Sequence, residues 1–204
     1  MDPDKNRKYR IKRRVIIGIC VFILIVLYLF KNASFFIRAL SAMSLLVSFY
    51  LIDRYFDLNY QKHHYFFIVF IAFFGFILSP FYYLYPNYDK ILHFIQPIFY
   101  ASIVYHMVKR LDLEYKWKII FVLFIVIGSL ALFEIGEYLL DYFFDLKLQG
   151  VFLRNLQGLG KFDMVIEKLD DTMWDLSIGF IGTLSYVVYN LFNKANLNER
   201  KKHY

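Results

Sequence analysis

The chain has 204 residues, of which 59% are apolar, 22% aromatic and only 20% charged, and its mean hydropathy is +0.45. The apolar residues are gathered into runs of roughly 16 to 24, each long enough or nearly long enough to cross about 30 Å of hydrocarbon as helix, which excludes a soluble enzyme. The net charge of +7 does not indicate nucleic acid, because the basic residues lie between the apolar runs rather than along one face.

The runs fall at 15–30, 33–52, 65–84, 89–108, 117–140 and 173–192. They predict an all-α, polytopic membrane helix bundle of about six transmembrane helices. A basic cytoplasmic tail at 1–14 precedes the membrane domain at 15–192, and a second cytoplasmic tail follows at 193–204. The first run follows basic residues as a signal peptide would, but Lys31-Asn32-Ala33-Ser34 offers no small-x-small cleavage site, so the run reads as a retained anchor. Cys20, the single cysteine, lies inside it, and an intrachain disulfide or cysteine-rich metal site is thereby excluded.

Orientation follows from Lys and Arg, which cytoplasmic segments retain. The first tail carries Lys5, Arg7, Lys8, Arg10, Lys12, Arg13 and Arg14. On the same side fall Arg54 and Lys62, then Lys109, Arg110, Lys116 and Lys118, then Lys194, Arg200, Lys201 and Lys202. Only Lys31, Lys90, Lys147, Arg154, Lys161 and Lys168 fall opposite. Both termini are therefore expected to be cytoplasmic in a cell (inner) membrane, with lipids as the surrounding partners and room for a homodimer.

Along the chain, Arg38 sits about five residues, roughly 7 Å, below the outer surface in the second run. It is the natural counter-charge for intramembrane acids and a candidate for holding an anionic substrate headgroup. His63 and His64 fall in a cytoplasmic loop and read as solvated. Tyr82, Tyr83, Tyr85 and Tyr88, with Pro86 and Asn87, form an outer aromatic belt. Asp89 and His93 open the fourth run four residues apart, hence on one helical face. Gln96-Pro97 should loosen that helix, since proline donates no hydrogen bond, and His106 reads as interfacial.

Glu134, Glu137 and Asp141 close the fifth run as one stripe. Asp171 and Asp175, beside Asp170, open the sixth, where Gly179, Gly182 and Ser185 read as a packing face. The connection at 141–172 contains Gly150, Gly158 and Gly160 and the apolar residues Leu146, Leu148, Val151, Phe152, Leu153, Leu156 and Leu159. That is too apolar for a solvated linker and too interrupted for a span, so an interfacial or re-entrant cap on the outer face is expected.

An ionisable group at mid-helix costs about 2.5–3.5 kcal/mol on insertion scales, and here such groups share one side. Asp89 and Asp171 can be explained as first-turn acids favoured by the helix dipole. Glu134 and Glu137 cannot, because acids at a helix C-terminus are opposed by it. The pattern points to a pocket with Asp89, His93, Glu137, Asp171 and Asp175 as candidate metal ligands, and Glu134, Glu137 and Asp175 as candidate catalytic groups.

Three motifs carry a resemblance: Tyr88-Asp89-Lys90-Ile91-Leu92-His93-Phe94, Glu134-Ile135-Gly136-Glu137, and Asp170-Asp171-Thr172-Met173-Trp174-Asp175-Leu176 followed by Gly179 and Gly182. Over roughly 85–192 they resemble the YjdF-like inner-membrane family and, more distantly, the VanZ-like family. The VanZ-like pattern has a Gln after its glutamate and an Asn in the last helix, where this chain has Glu137 and Gly179. The YjdF-like resemblance implies a site and an architecture rather than an activity.

Three functions stay open. A divalent cation (Mg²⁺, Mn²⁺ or Fe²⁺) held by oxygens and one imidazole could serve an enzyme acting on a lipid or lipid-linked substrate. Intramembrane acids could equally serve a proton- or cation-coupled transporter. A non-catalytic membrane subunit would use them to tie its outer helix ends together. The chain lacks a Gly-x-Ser-x-Gly elbow and the paired His and Arg motifs of a histidine-type lipid phosphatase.

Overall fold

In a computed structural model, residues 3–30, 33–144, 147–154 and 162–202 are described, with side chains for 6–29, 35–144, 147–154 and 162–194. Six α-helices are found among them: α1 (Pro3–Phe30), α2 (Ala33–Tyr55), α3 (Lys62–Phe70), α4 (Tyr88–Val108), α5 (Tyr115–Phe144) and α6 (Lys168–Lys202). Four of these helices, α2, α4, α5 and α6, are long and apolar enough to cross a membrane. At 1.5 Å per residue the 21 residues of α4 reach about 31 Å, the thickness of the hydrocarbon layer. The third apolar run is a shorter helix, α3 continuing as a π-helix at Ile71–Ile77 and a 3₁₀ turn at Ser79–Tyr83. The chain divides into two compact units, Met1–Pro80 and Phe81–Tyr204.

In the first unit α1 packs on α2. Tyr9, Ile16 and Ile23 are buried at intervals of seven on α1, and Ala39, Ala42, Leu46, Phe49 and Asp53 at alternating intervals of three and four on α2. This spacing keeps one seam of each helix in contact, and the two alanines let the backbones approach. The stretch expected as a tail at 1–14 is helical from Pro3 and buries Tyr9. It is pinned at Asp53, which is fully buried. Lys12 Nζ donates to its Oδ2 at 2.7 Å, the Tyr65 hydroxyl to Oδ2 at 2.5 Å and the Tyr60 N–H to Oδ1 at 3.0 Å.

Just beyond, Asp57 adopts a left-handed conformation (φ 51°) and the Leu58 N–H returns to the Asp53 carbonyl at 3.0 Å, a six-to-one closure of the helix end. His64 corrects the solvated-loop expectation. It is buried, its Nδ1 accepts the Gln61 N–H at 3.1 Å where α3 starts, and its ring meets Tyr60 edge-on. His63 is exposed, but it lies in the first turn of α3 and not in a loop, with its Nε2 3.1 Å from that of His64.

The second unit is built from α4, α5 and α6. Its apolar centre comprises Ala101, Val104 and Val108 from α4 with Val122 and Val126 from α5, flanked by Tyr100, Tyr105, Leu130 and Tyr186. Small residues bring α6 against α4: a Cβ at Gly182 would collide with the Phe94 carbonyl oxygen, and one at Gly179 would lie only 2.8 Å from Leu130. The buried hydroxyl next to them is that of Thr183, bonded back to the Gly179 carbonyl at 2.8 Å, whereas Ser185 is exposed. His106, expected at the interface, is buried instead, because its turn of α4 also carries the core valines Val104 and Val108.

The described part of the connection between α5 and α6 is an antiparallel hairpin, β1 (Val151–Arg154) with β2 (Phe162–Ile166). The alternation needed to announce strands is weak in so short a segment, which explains the re-entrant expectation from sequence. Residues 145–146 and 155–161 of that expected cap, including Leu146, Leu156, Gly158, Leu159, Gly160 and Lys161, lie outside the described residues, as does Lys31.

Candidate functional site

All the acids singled out near helix ends in the second unit, and His93, come from three helices of that unit. Asp89, Lys90 and His93 lie in the first turns of α4, Glu134, Glu137 and Asp141 in the last turns of α5, and Asp171 and Asp175 in the first turns of α6. The glycine contacts between α6 and α4 sit one to two turns deeper and fix the separation of those helix starts. Pro97 helps from the other side: it has no N–H for the His93 carbonyl four residues earlier, and that carbonyl faces Gly179, whose added Cβ would lie 3.5 Å away.

The centre of the cluster is Lys90. Its ammonium donates to Asp171 Oδ1, to Asp175 Oδ1 at 2.7 Å and to Asp89 Oδ2 at 3.4 Å. In the sequence Lys90 stands only as part of a motif and of the charge balance, with no role of its own. The signal that could have singled it out is its position directly after Asp89, on the same membrane side as the acids. A cation there offsets the repulsion among carboxylates that burial would otherwise make prohibitive.

His93 is the second hub. Its Nε2 lies 3.4 Å from Asp89 Oδ1, and its Nδ1 lies 3.9 Å from both Glu134 Oε1 and Asp175 Oδ1. The Asp175 side chain is 2% exposed and that of Glu134 6%. Asp89, His93 and Asp175 each offer one ligand atom, all within 4.8 Å of one another. Thus three of the five residues expected to ligate a metal are grouped. Asp171 is committed at both oxygens, to Lys90 and to the Gly150 N–H at 2.9 Å. Glu137 is half-buried on α5, one turn beyond Glu134.

Further hydrogen bonds hold the hairpin on these helix ends. Asp141 accepts the Leu148 N–H at 2.7 Å, the Gln149 N–H at 3.2 Å and Lys168 Nζ at 3.0 Å. Gln149 is buried, and its side-chain amide donates to the Thr172 hydroxyl at 3.1 Å. Gly150 takes a left-handed φ of 87° and turns the chain into β1, a conformation that favours glycine. In the sequence Thr172 stands only as part of a motif, and Gln149 not at all, since a single polar residue carries no periodic signal.

Arg38 belongs to the first unit. Its Nη1 donates to the Ile77 carbonyl at 3.0 Å, and its guanidinium lies 5.5 Å from the centre of the Phe35 ring. Ile77 ends the π-helical stretch, and Pro80, three residues on, has no N–H to return to it. A backbone acceptor in an apolar segment needs a donor, and the guanidinium supplies one.

The sequence model of a family described as a predicted membrane protein (DUF2238) matches residues 12–196. The chain belongs to this family. The match spans both units and every residue of the cluster. Neither the comparison with curated proteins nor that with solved structures found a match. At the level of a membrane family, this DUF2238 assignment agrees with the YjdF-like resemblance, while nothing found supports the VanZ-like one.

Proposed function

We propose that this DUF2238 protein binds a divalent cation between α4 and α6 through Asp89, His93 and Asp175, and uses it to act on a lipid or lipid-linked substrate at the outer membrane boundary. The observation that carries the reading is the grouping of these three ligand atoms within 4.8 Å at the ends of apolar helices, where uncompensated acids are expensive. Two carboxylate oxygens and an imidazole suit Mg²⁺, Mn²⁺ or Fe²⁺, and leave coordination positions open for water and substrate.

In this reading Asp89, His93 and Asp175 would hold the cation, which would supply Lewis acidity toward a phosphoryl or carbonyl oxygen. Glu134, 3.9 Å from His93, is placed to take a proton from an attacking water, with Glu137 one turn further out. Lys90 orients Asp175 by holding one of its oxygens, the usual part of an outer-shell partner.

The test is the metal content of purified protein. Wild type should carry a divalent cation, and Asp89→Asn, His93→Gln and Asp175→Asn should each lose it, while Asp141→Asn, which loosens the hairpin, should retain it. Metal-free wild type after supply with Mg²⁺, Mn²⁺ and Fe²⁺ in turn would remove the metal reading, and the enzyme with it.

The contact of Lys90 with three carboxylates supports a second reading, a non-catalytic tie between α4 and α6. It predicts a Lys90→Met variant that is destabilised and that no divalent cation rescues. The metal reading predicts rescue, because the same variant frees carboxylate oxygens for the cation.

A further inference from the structure

The N-terminal half of α1 presents two faces. Tyr9 and Ile16 are buried and Lys12 is half-buried, whereas Arg7, Lys8, Arg10, Arg13 and Arg14 are exposed. At 100° per residue the buried positions share one side of the helix, and the five cations share the exposed remainder with Ile11. Lys12 is withdrawn from that set, because its ammonium is spent on the buried Asp53 at 2.7 Å. The Tyr9 hydroxyl reaches the Asp53 carbonyl at 3.1 Å and Asp57 at 3.3 Å, and the Asn59 N–H donates to it at 3.2 Å. Tyr9 and Lys12 thus tie this helical segment to the end of α2.

We propose that this face is a docking surface for anionic phospholipid headgroups. The apolar part of α1 begins at Val15, directly after Arg14, so with that part in contact with the bilayer Arg13 and Arg14 meet the headgroup layer. Arg7 stands about 10 Å further along the helix, about one Debye length at 0.1 M salt and slightly more than one at physiological salt. All five cations therefore feel a negative leaflet together. No carboxylate is interleaved between Arg7 and Arg14; of the two acids that Tyr9 reaches, Asp53 is buried and paired with Lys12, and Asp57 is exposed beside the five cations. Ordering by Tyr9 removes the entropic cost that a flexible basic tail incurs on binding. Headgroup recognition here is electrostatic and independent of the metal cluster.

The experiment uses the full chain in phosphatidylcholine bilayers containing trace spin-labelled phosphatidylglycerol or spin-labelled phosphatidylcholine, comparing the protein-associated fraction of each. Phosphatidylglycerol should be preferred by about fivefold at low salt, the ratio expected if one cation is fully effective, and the preference should collapse towards parity at high salt. A variant with Arg7, Lys8, Arg10, Arg13 and Arg14 all changed to Gln should show parity at any salt, while changing the four arginines to Lys should preserve the preference. Equal association of both lipids with wild type, a preference that survives high salt, or one that persists in the Gln variant would each overturn the proposal. Should the Gln variant not fold, the salt dependence of wild type and the Lys variant decides. An acidic peptide that displaces no lipid yet stabilises the protein would assign the face to a protein partner and overturn it as well.

Discussion

At Lys90 one ammonium, 15% exposed, meets two aspartates whose side chains are 4% and 2% exposed. Removing one partner from such an arrangement leaves charge buried without compensation, at a typical cost of about 3 kcal/mol. Lys90→Met should therefore lower the thermal unfolding temperature in metal-free protein, and adding Asp175→Asn should recover part of the loss. Strictly additive effects in that double-mutant cycle would show that the contact is energetically idle. Asp53 makes the same point in the first unit, with three different side chains and one backbone N–H converging on its carboxylate. Lys12→Met there should destabilise by a similar amount. The acids of the second unit are legible in the sequence because ionisable groups are rare in apolar runs. Their cation is not, because a lysine next to a helix start is ordinary on any membrane boundary. Asp53 escapes notice for a related reason: at the end of an apolar run it looks solvated, and only the return of Tyr60 and Tyr65 onto it shows that it is enclosed.

Among the elements, the pair α4 and α6 decides the geometry of the cluster. The spacing of the small residues Gly179 and Gly182 predicts a close helix contact, and the contact is real: Gly182 packs against the backbone of Phe94. Gly182→Ala would drive a methyl group into a carbonyl oxygen that cannot swing aside, so the helices must part. The expected cost is at or above the roughly 1–3 kcal/mol of ordinary overpacking. Gly128→Ala on α5, where nothing lies within 4 Å, should be neutral or slightly stabilising through helix propensity. Thermal unfolding of both variants in one lipid checks the contrast, and equal effects would contradict the packing account. The connection between α5 and α6 is legible as a folded segment but not as a hairpin. Its position is set by single polar contacts, Asp141 to Leu148 and Gln149 and Asp171 to Gly150, which leave no trace in hydropathy.

For the whole molecule, hydropathy suffices to establish a membrane helix bundle, because backbone in hydrocarbon must satisfy its own hydrogen bonds. It does not separate the four helices that are long and apolar enough to span from α1, whose 28 residues begin with a basic half, or from the third run, which a π-helical turn and Pro80 interrupt without changing its composition. The distribution of Lys and Arg predicts that both termini are cytoplasmic. With Cys20 changed to Ala, a cysteine at Arg154 on the hairpin should react with an impermeant reagent in intact cells, and one at Lys8 should not. The reverse pattern would invert the topology and move the cluster to the inner face. The central claim is that Asp89, His93 and Asp175 hold a cation, and its most direct measurement is thermal unfolding of wild type and Asp175→Asn before and after chelation. The account predicts that chelation lowers the wild-type unfolding temperature, that Mn²⁺ restores it, and that the variant responds to neither. An unfolding temperature unmoved by chelator and metal in wild type would contradict it.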